Sequence, residues 1–309
     1  MSKKIMGVTV GTPIRPSKFA TELADRVEEM VKANTEQEKT VDITENGTLE
    51  IVPDEGFKLS KVTANVNVVG ENKLAQLADD TLTTITAADL EGATKIKAYA
   101  FYAMGSLETV ELPNTITTVG SGAFASITGS TKNKIKTLVF PDSITTIADN
   151  VFADCSNLQN VVLPQNTQFT KLDISLFRNC SQLNNVVIPN NITRIENSVF
   201  YCCSNLSSIT LSNSLTYIGS GVFNSCTSLT NLTIPASVTE IGPSNALNIG
   251  TNTNKATFIF LPTTPPTINT TSFSVIKINK IIVPKGCGEA YKSATNWANI
   301  ADYIEEATE

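Results

Sequence analysis

The residues whose chemistry would matter most here are six cysteines. Four of them, Cys155, Cys180, Cys203 and Cys226, follow one another at intervals of 25, 23 and 23 residues. Thiols in such a series could cross-link, hold a soft metal or act as nucleophiles. The intervals match no zinc-ligand spacing, and Met104 and Ile127 occupy the same place in earlier copies of the pattern, so the slot selects a medium-sized apolar side chain. A buried free cysteine behaves as a small hydrophobe, and the four are read as core. Cys202 and Cys203 are adjacent, so only one of them can point inward; Cys202 and Cys287 are read as the exposed, inert thiols. Histidine is absent, which removes the commonest general base and metal ligand at neutral pH. Asp79-Asp80 and the C-terminal acids have no basic or nucleophilic partner at motif spacing, and no phosphate-binding or hydrolase motif occurs. The sequence thus predicts a non-enzyme without catalytic residues, metal or cofactor.

The elements that place these thiols emerge from a repeat. Aligned on Phe101, Phe124, Phe152, Phe177, Phe200 and Phe223, the chain advances by 23, 28, 25, 23 and 23 residues. Five residues before each Phe stands Ile96, Val119, Ile147, Leu172, Ile195 or Ile218, and just before it Ala100, Ala123, Val151, Leu176, Val199 or Val222. Beyond the Cys slot comes a Leu-x-x-Ile-x-Leu-Pro phrase, as in Leu158-x-x-Val161-x-Leu163-Pro164. Residues two apart share one face of a strand, and proline, lacking an N–H, ends the ladder; Ser212 is the one exception to the closing proline. The earlier Ile-x-x-Ile pair predicts a second short strand, and Phe-x-x-Cys a tight helical or 3-10 corner. A unit of this kind cannot bury its apolar side alone, so neighbours must stack. The array frays at each end. Leu82, Ile85 and Ala87 open it, the strand returns as Ile259-x-Leu261-Pro262 and Ile281-x-Val283-Pro284, and a helical tail follows whose single Trp297 covers the last coil.

The outward positions of the strand phrase form the candidate binding surface: Thr137, Val139, Asn160, Val162, Asn185, Val187, Ser208, Thr210, Asn231, Thr233, Phe258 and Phe260. Thr109, Glu111, Lys280 and Ile282 extend the same two columns. They predict a polar Asn/Ser/Thr row beside a β-branched row, ending near the two phenylalanines. Exposed parallel sheets favour such residues for packing along strands alone, whereas solenoids tend to bind through this face.

Phrases such as ITTIADNVFADCSNLQNVVLPQN, LTYIGSGVFNSCTSLTNLTIPAS and VPKGCGEAYKSATNWANIADYIEE make the chain resemble the BspA-like, or Treponema-type, leucine-rich repeats. The resemblance covers roughly residues 80–309 and implies a curved solenoid with parallel sheets and a role in adhesion or ligand recognition. The predicted fold class is therefore a β-rich leucine-rich-repeat solenoid with parallel sheets and short helical or 3-10 corners. It divides into a small α+β module over residues 1–75, the solenoid over 76–285 and a helical cap over 286–309.

In residues 1–75, Ser17 caps a predicted helix with an apolar stripe of Phe19, Leu23, Val27, Met30 and Val31. Alternating runs at Val41 and Ile43, at Leu49 and Ile51, and at Val62, Ala64, Val66 and Val68 predict strands, with Asn46-Gly47 as a hairpin turn. The phrases IMGVTVGTPIRPSKFA and TENGTLEIVPDEG are similar to ones near the N-termini of phage tail-associated proteins. With 29 acids against 23 bases the net charge is −6, and no cluster of Lys and Arg invites nucleic acid or an anionic membrane. No run is long enough to span a bilayer and no secretory leader is visible. Together these features suggest a phage or prophage appendage, assembled in the host cytoplasm, that contacts a protein or glycan on a bacterial surface. Residues 1–75 would then self-associate or attach to the virion. The alternative is an extracellular, BspA-like surface adhesin exported by a route this sequence does not reveal.

Overall fold

Each 23-residue unit closes one coil of a parallel β-solenoid of about nine turns. The computed structural model describes residues 82–126 and 133–308, together with the backbone of three short strands nearer the N-terminus. Those three, β1 (Lys3–Ile5), β2 (Val8–Gly11) and β3 (Glu50–Pro53), form an antiparallel sheet in the order β1-β2-β3. The β3 strand falls on the predicted Leu49–Ile51 run, but its described partner is β2, which the sequence pattern did not mark. The predicted Ser17 helix, the Asn46-Gly47 turn and the strands at Val41 and Val62–Val68 lie outside the described residues.

One side of the solenoid carries the Leu-x-x-Ile-x-Leu strands. They are β4 (Thr84–Ile85), β6 (Thr109–Val110), β8 (Thr137–Val139), β10 (Asn160–Val162), β12 (Asn185–Val187), β14 (Ser208–Thr210), β16 (Asn231–Ile234), β18 (Ala256–Phe260) and β19 (Ile278–Val283). The other side carries β5 (Lys95–Ile96), β7 (Thr118–Val119), β9 (Thr146–Ile147), β11 (Lys171–Leu172), β13 (Arg194–Ile195), β15 (Tyr217–Ile218) and β17 (Glu240–Ile241). Equivalent residues pair in parallel from coil to coil: Val161 lies opposite Leu138, Val186 opposite Ile209, and Ile195 opposite Leu172 and Ile218.

The corner between the two sides is not a helix. In place of the helical or 3-10 corner expected at Phe-x-x-Cys there are successive turns, such as Arg178 N–H to Ser175 O at 3.2 Å and Cys180 N–H to Phe177 O at 3.1 Å. The residue two before Phe has positive φ in every unit: Tyr99, Gly122, Asn150, Ser175, Ser198 and Gly221. A left-handed residue at this point interrupts any helix and turns the corner's N–H groups toward the next coil, where Phe177 N–H meets Val199 O at 3.0 Å.

The core runs along the axis. The six repeat phenylalanines are buried and stack ring on ring, with centroids 5.2 to 5.9 Å apart and planes within 17° of parallel. Beside them the column Thr94, Thr117, Thr145, Thr170, Thr193, Thr216 and Thr239 runs along the edge. Within it, Thr117, Thr145, Thr193, Thr216 and Thr239 each donate a hydroxyl to the threonine carbonyl one coil earlier.

At the C-terminus the tail is less helical than its pattern suggested. A six-residue helix, α1 (Gly288–Ser293), gives way to a kinked 3-10 stretch, Trp297–Tyr303, and then to β20 (Ile304–Glu306), which pairs in parallel with β19. Tyr291 and Trp297 are buried, Ala290 is exposed. Trp297 does cover the last coils: its ring lies 5.0 Å from that of Phe260 and 4.8 Å from that of Tyr291, and its indole N–H donates to Pro266 O at 2.8 Å.

Candidate functional site

Alternation along β8 to β16 sends one residue of each pair into the core and the next outward. Thr137, Val139, Asn160, Val162, Asn185, Val187, Ser208, Thr210, Asn231 and Thr233 are all exposed on one face. Three of them are valines at 57%, 49% and 57% exposure, side by side on consecutive coils. None of the ten is charged, although Asp, Glu, Lys and Arg make up 17% of the chain. Among the described residues, the side chains of Thr137, Asn160, Asn185, Ser208, Thr210 and Thr233 make no hydrogen bond within the chain, and Asn231 bonds only its neighbour Thr230. Their donors and acceptors are therefore turned to solvent.

Phe258 and Phe260 do not belong to this face. Both are 1% exposed. β18 pairs with β16 so that Phe258 lies opposite Leu232 and Phe260 opposite Ile234, which sends Thr257, Ile259 and Leu261 outward. Here proline does not directly follow the last inward residue, because Leu261 intervenes between Phe260 and Pro262. A slip of one residue reverses every side chain of a strand, so the predicted inward pair Ile259 and Leu261 is corrected together with the two phenylalanines. The β-branched row thus continues from Val139, Val162, Val187, Thr210 and Thr233 through Ile259 and Ile282, and the polar row through Thr257 and Lys280.

The opposite side looks more chemical and is less available. Lys171 Nζ lies 2.7 Å from Asp173, Arg194 Nε 2.8 Å from Glu196, and the Arg194 guanidinium sits 4.0 Å over the Tyr217 ring. The hydrogen bond to Asp173 holds the Lys171 ammonium above its ordinary pKa, and that to Glu196 does the same for Arg194. Each base is thus neutralised by an acid of its own coil. Exposed pairs of this kind add on the order of 0–1 kcal/mol each, and they leave neither Lys171 nor Arg194 as a free cation to draw a ligand.

The thiol column is core, as its spacing indicated. Cys155, Cys180, Cys203 and Cys226 are free and fully buried, whereas Cys202 and Cys287 are partly exposed. Each buried sulfur lies 3.1–3.2 Å from the carbonyl of the Phe one coil earlier: Phe124, Phe152, Phe177 and Phe200. Burial pushes the Cys155 thiol up to about 12 and raises the other three in the same direction. Ile127, assigned to the same slot, lies outside the described residues. Beside Cys155 the sequence reading missed Asn133, which is buried and donates its amide to Phe124 O at 2.8 Å and to the Cys155 sulfur at 3.1 Å. The long 28-residue step between Phe124 and Phe152 hid it from the column alignment. Among the described residues no group of three or more His, Cys, Asp or Glu is placed to hold a metal ion, and no helix is long and apolar enough to cross a membrane.

In-register parallel strands, one Phe per coil and a column of thiols inside define a repeat protein of the β-solenoid class. Within that class the chain belongs to the BspA type leucine-rich repeat family, whose model matches residues 77–168 and 130–248, more than half of its length. Solved structures with a likeness include a leucine-rich repeat protein from Bacteroides ovatus at 24% identity and a TM-score of 0.45, covering 67% of this chain and 57% of that one. Others are a leucine-rich repeat protein of T. pallidum, at 22% identity and a TM-score of 0.37 over 58% of this chain and 73% of that one, and a leucine-rich cell surface protein of Faecalibacterium prausnitzii. The last is 15% identical with a TM-score of 0.36 over 100% of this chain and 95% of that one. This chain spans little more than half the length of the Bacteroides ovatus protein. No curated protein matches it.

Proposed function

We propose that this chain is a non-catalytic binding scaffold of the cell-surface adhesin kind, and that it presents the β8–β16 face to a macromolecule on a bacterial surface. The observation that carries this reading is the uncharged face of ten exposed residues with its ridge of Val139, Val162 and Val187 and its unengaged amides and hydroxyls. Membership of a repeat family supports it, because such arrays bury a continuous core and use the long surface left over for recognition. The appendage reading rests on the two N-terminal phrases. It would give residues 1–75 the task of virion attachment or self-association, and recovery of the protein with purified virions is its test.

The adhesion reading is tested by binding fluorescently labelled full-length chain to whole bacterial cells. The wild type and a Lys171→Ala variant on the opposite side should bind equally, while Val162→Lys should bind at least fivefold more weakly without any change in thermal midpoint. Equal binding by Val162→Lys would remove the face from contention.

A further inference from the structure

Resting on this reading, we infer that the β8–β16 face is a site for an uncharged polysaccharide, laid along the solenoid axis across successive coils. The face consists of two parallel rows with different chemistry. One row carries methyl groups, from Val139 through Val162 and Val187 to Thr210 on the sheet β8–β14, and then from Thr233 through Ile259 to Ile282 on the adjoining sheet that begins at β16. The other carries hydrogen-bonding groups, from Thr137 through Asn160 and Asn185 to Ser208 on the first sheet, and from Asn231 through Thr257 to Lys280 on the second. A pyranose chain has the same duality, since each ring has a C–H surface and a hydroxyl edge. Lying along the rows, it sets ring surfaces on the methyl ridge and hydroxyls on the amides, which both donate and accept.

Charge selects the ligand further. The outward positions of five consecutive strands are neutral in a chain of net charge −6. Charges appear only at the ends of the rows, with Glu111 on one side and Lys280, paired at 3.6 Å with Glu305, on the other. A polyanion would meet no row of cations and a polycation no row of acids, so neither gains by lying here.

Size argues against a folded protein as the occupant. Seven coils at the strand spacing of about 4.8 Å give a strip roughly 30 Å long and 10 Å wide, on the order of 300 Å². A stable protein interface takes roughly 800 Å² from each partner and is anchored by aromatic or arginine side chains in pockets. The two rows hold no aromatic residue and no arginine. Individual contacts on a methyl ridge are weak, so affinity must accumulate coil by coil and rise with the length of the glycan until the rows are filled.

The test is affinity electrophoresis of the full-length chain in gels holding a neutral β-glucan, mannan or galactan, with dextran sulfate as the polyanion. At least one neutral polymer should retard the wild type and Lys171→Ala alike. The double variant Asn160→Ala/Asn185→Ala, altered at side chains that make no hydrogen bond within the chain, should need at least fivefold more polymer for the same retardation. In parallel, bacterial cells treated with periodate should lose binding and protease-treated cells should keep it. Retardation by dextran sulfate alone, retardation by no neutral polymer, or an unaffected double variant would each overturn the inference. Cell binding lost to protease and not to periodate would also overturn it, leaving the adhesion reading intact with a protein partner. Asparagine-dependent retardation without any cell binding would uphold the inference and sink the adhesion reading instead.

Discussion

At the scale of single residues, the burial of the thiols decides what they can do. A thiolate, and not a thiol, is the nucleophile. With Cys155, Cys180, Cys203 and Cys226 enclosed and held protonated by burial, iodoacetamide at pH 8 should label only Cys202 and Cys287 in the native protein. All six should label in denaturant, and mass spectrometry distinguishes the two patterns. Native labelling at Cys180 would show that the coils breathe apart. Cys202 is unusual for another reason. It holds φ at 58°, in the column where Asp154, Asn179 and Ser225 also take the left-handed conformation. A side chain bearing Cβ is strained there, so Cys202→Gly should raise stability by about 0.5–1 kcal/mol in chemical denaturation. The inward place of Cys203 was legible from its periodicity; the left-handed backbone of its neighbour was not, because alternation reports facing and says nothing about φ.

At the scale of elements, the C-terminal strand depends on one carboxylate. Glu306 accepts from Gly286 N–H at 2.9 Å and from Gly288 N–H at 2.7 Å, tying the end of β20 to the start of α1. These two backbone donors, Gly286 first, hold its pKa below the ordinary 4.5. A depressed carboxylate stabilises the fold at pH values above its unfolded pKa, and that contribution disappears as the pH falls from about 4.5 through the lower folded value. Amide exchange at Gly286 and Gly288, corrected for its intrinsic pH dependence, should therefore accelerate over that window in the wild type. In Glu306→Gln it should be faster at neutral pH and without this titration. Strand β20 itself was hidden in the sequence. DYIEE after a helical run carries no alternation long enough to mark a strand, and only the free edge of β19 gives it a partner. The register of β18 was ambiguous for the opposite reason, since Phe258-Ile259-Phe260-Leu261 is apolar at every position and either alternation could face inward. Pairing with β16 and β19 settles it, with a shift between Ala256 and Thr257 that no local pattern announces.

At the scale of the whole molecule, the stacked phenylalanines make each coil depend on its neighbours. Nearest-neighbour coupling means that weakening one coil can divide the array. Phe177 stacks on Phe152 and on Phe200, so Phe177→Ala removes two ring contacts and should cost about 3–5 kcal/mol. Among the described residues Phe101, in the first repeat unit, stacks on Phe124 alone, and Phe101→Ala should cost less. The single Trp297 sits in the C-terminal cap and reports on that end. In Phe177→Ala its fluorescence transition should separate from that of far-UV circular dichroism, while the wild type shows coincident curves. Coincidence in the variant would mean that the coils unfold as one body. The sequence by itself determined the repeat, its inward columns, the core role of the buried thiols and the neutral outward rows of β8–β16, because each follows from alternation repeated coil after coil. Only the tertiary structure decided the register of β18, the strand that ends the sheet and which polar groups remain free. Those depend on what the preceding coil offers as a partner, and a partner one coil away is set by stacking and not by neighbours in sequence.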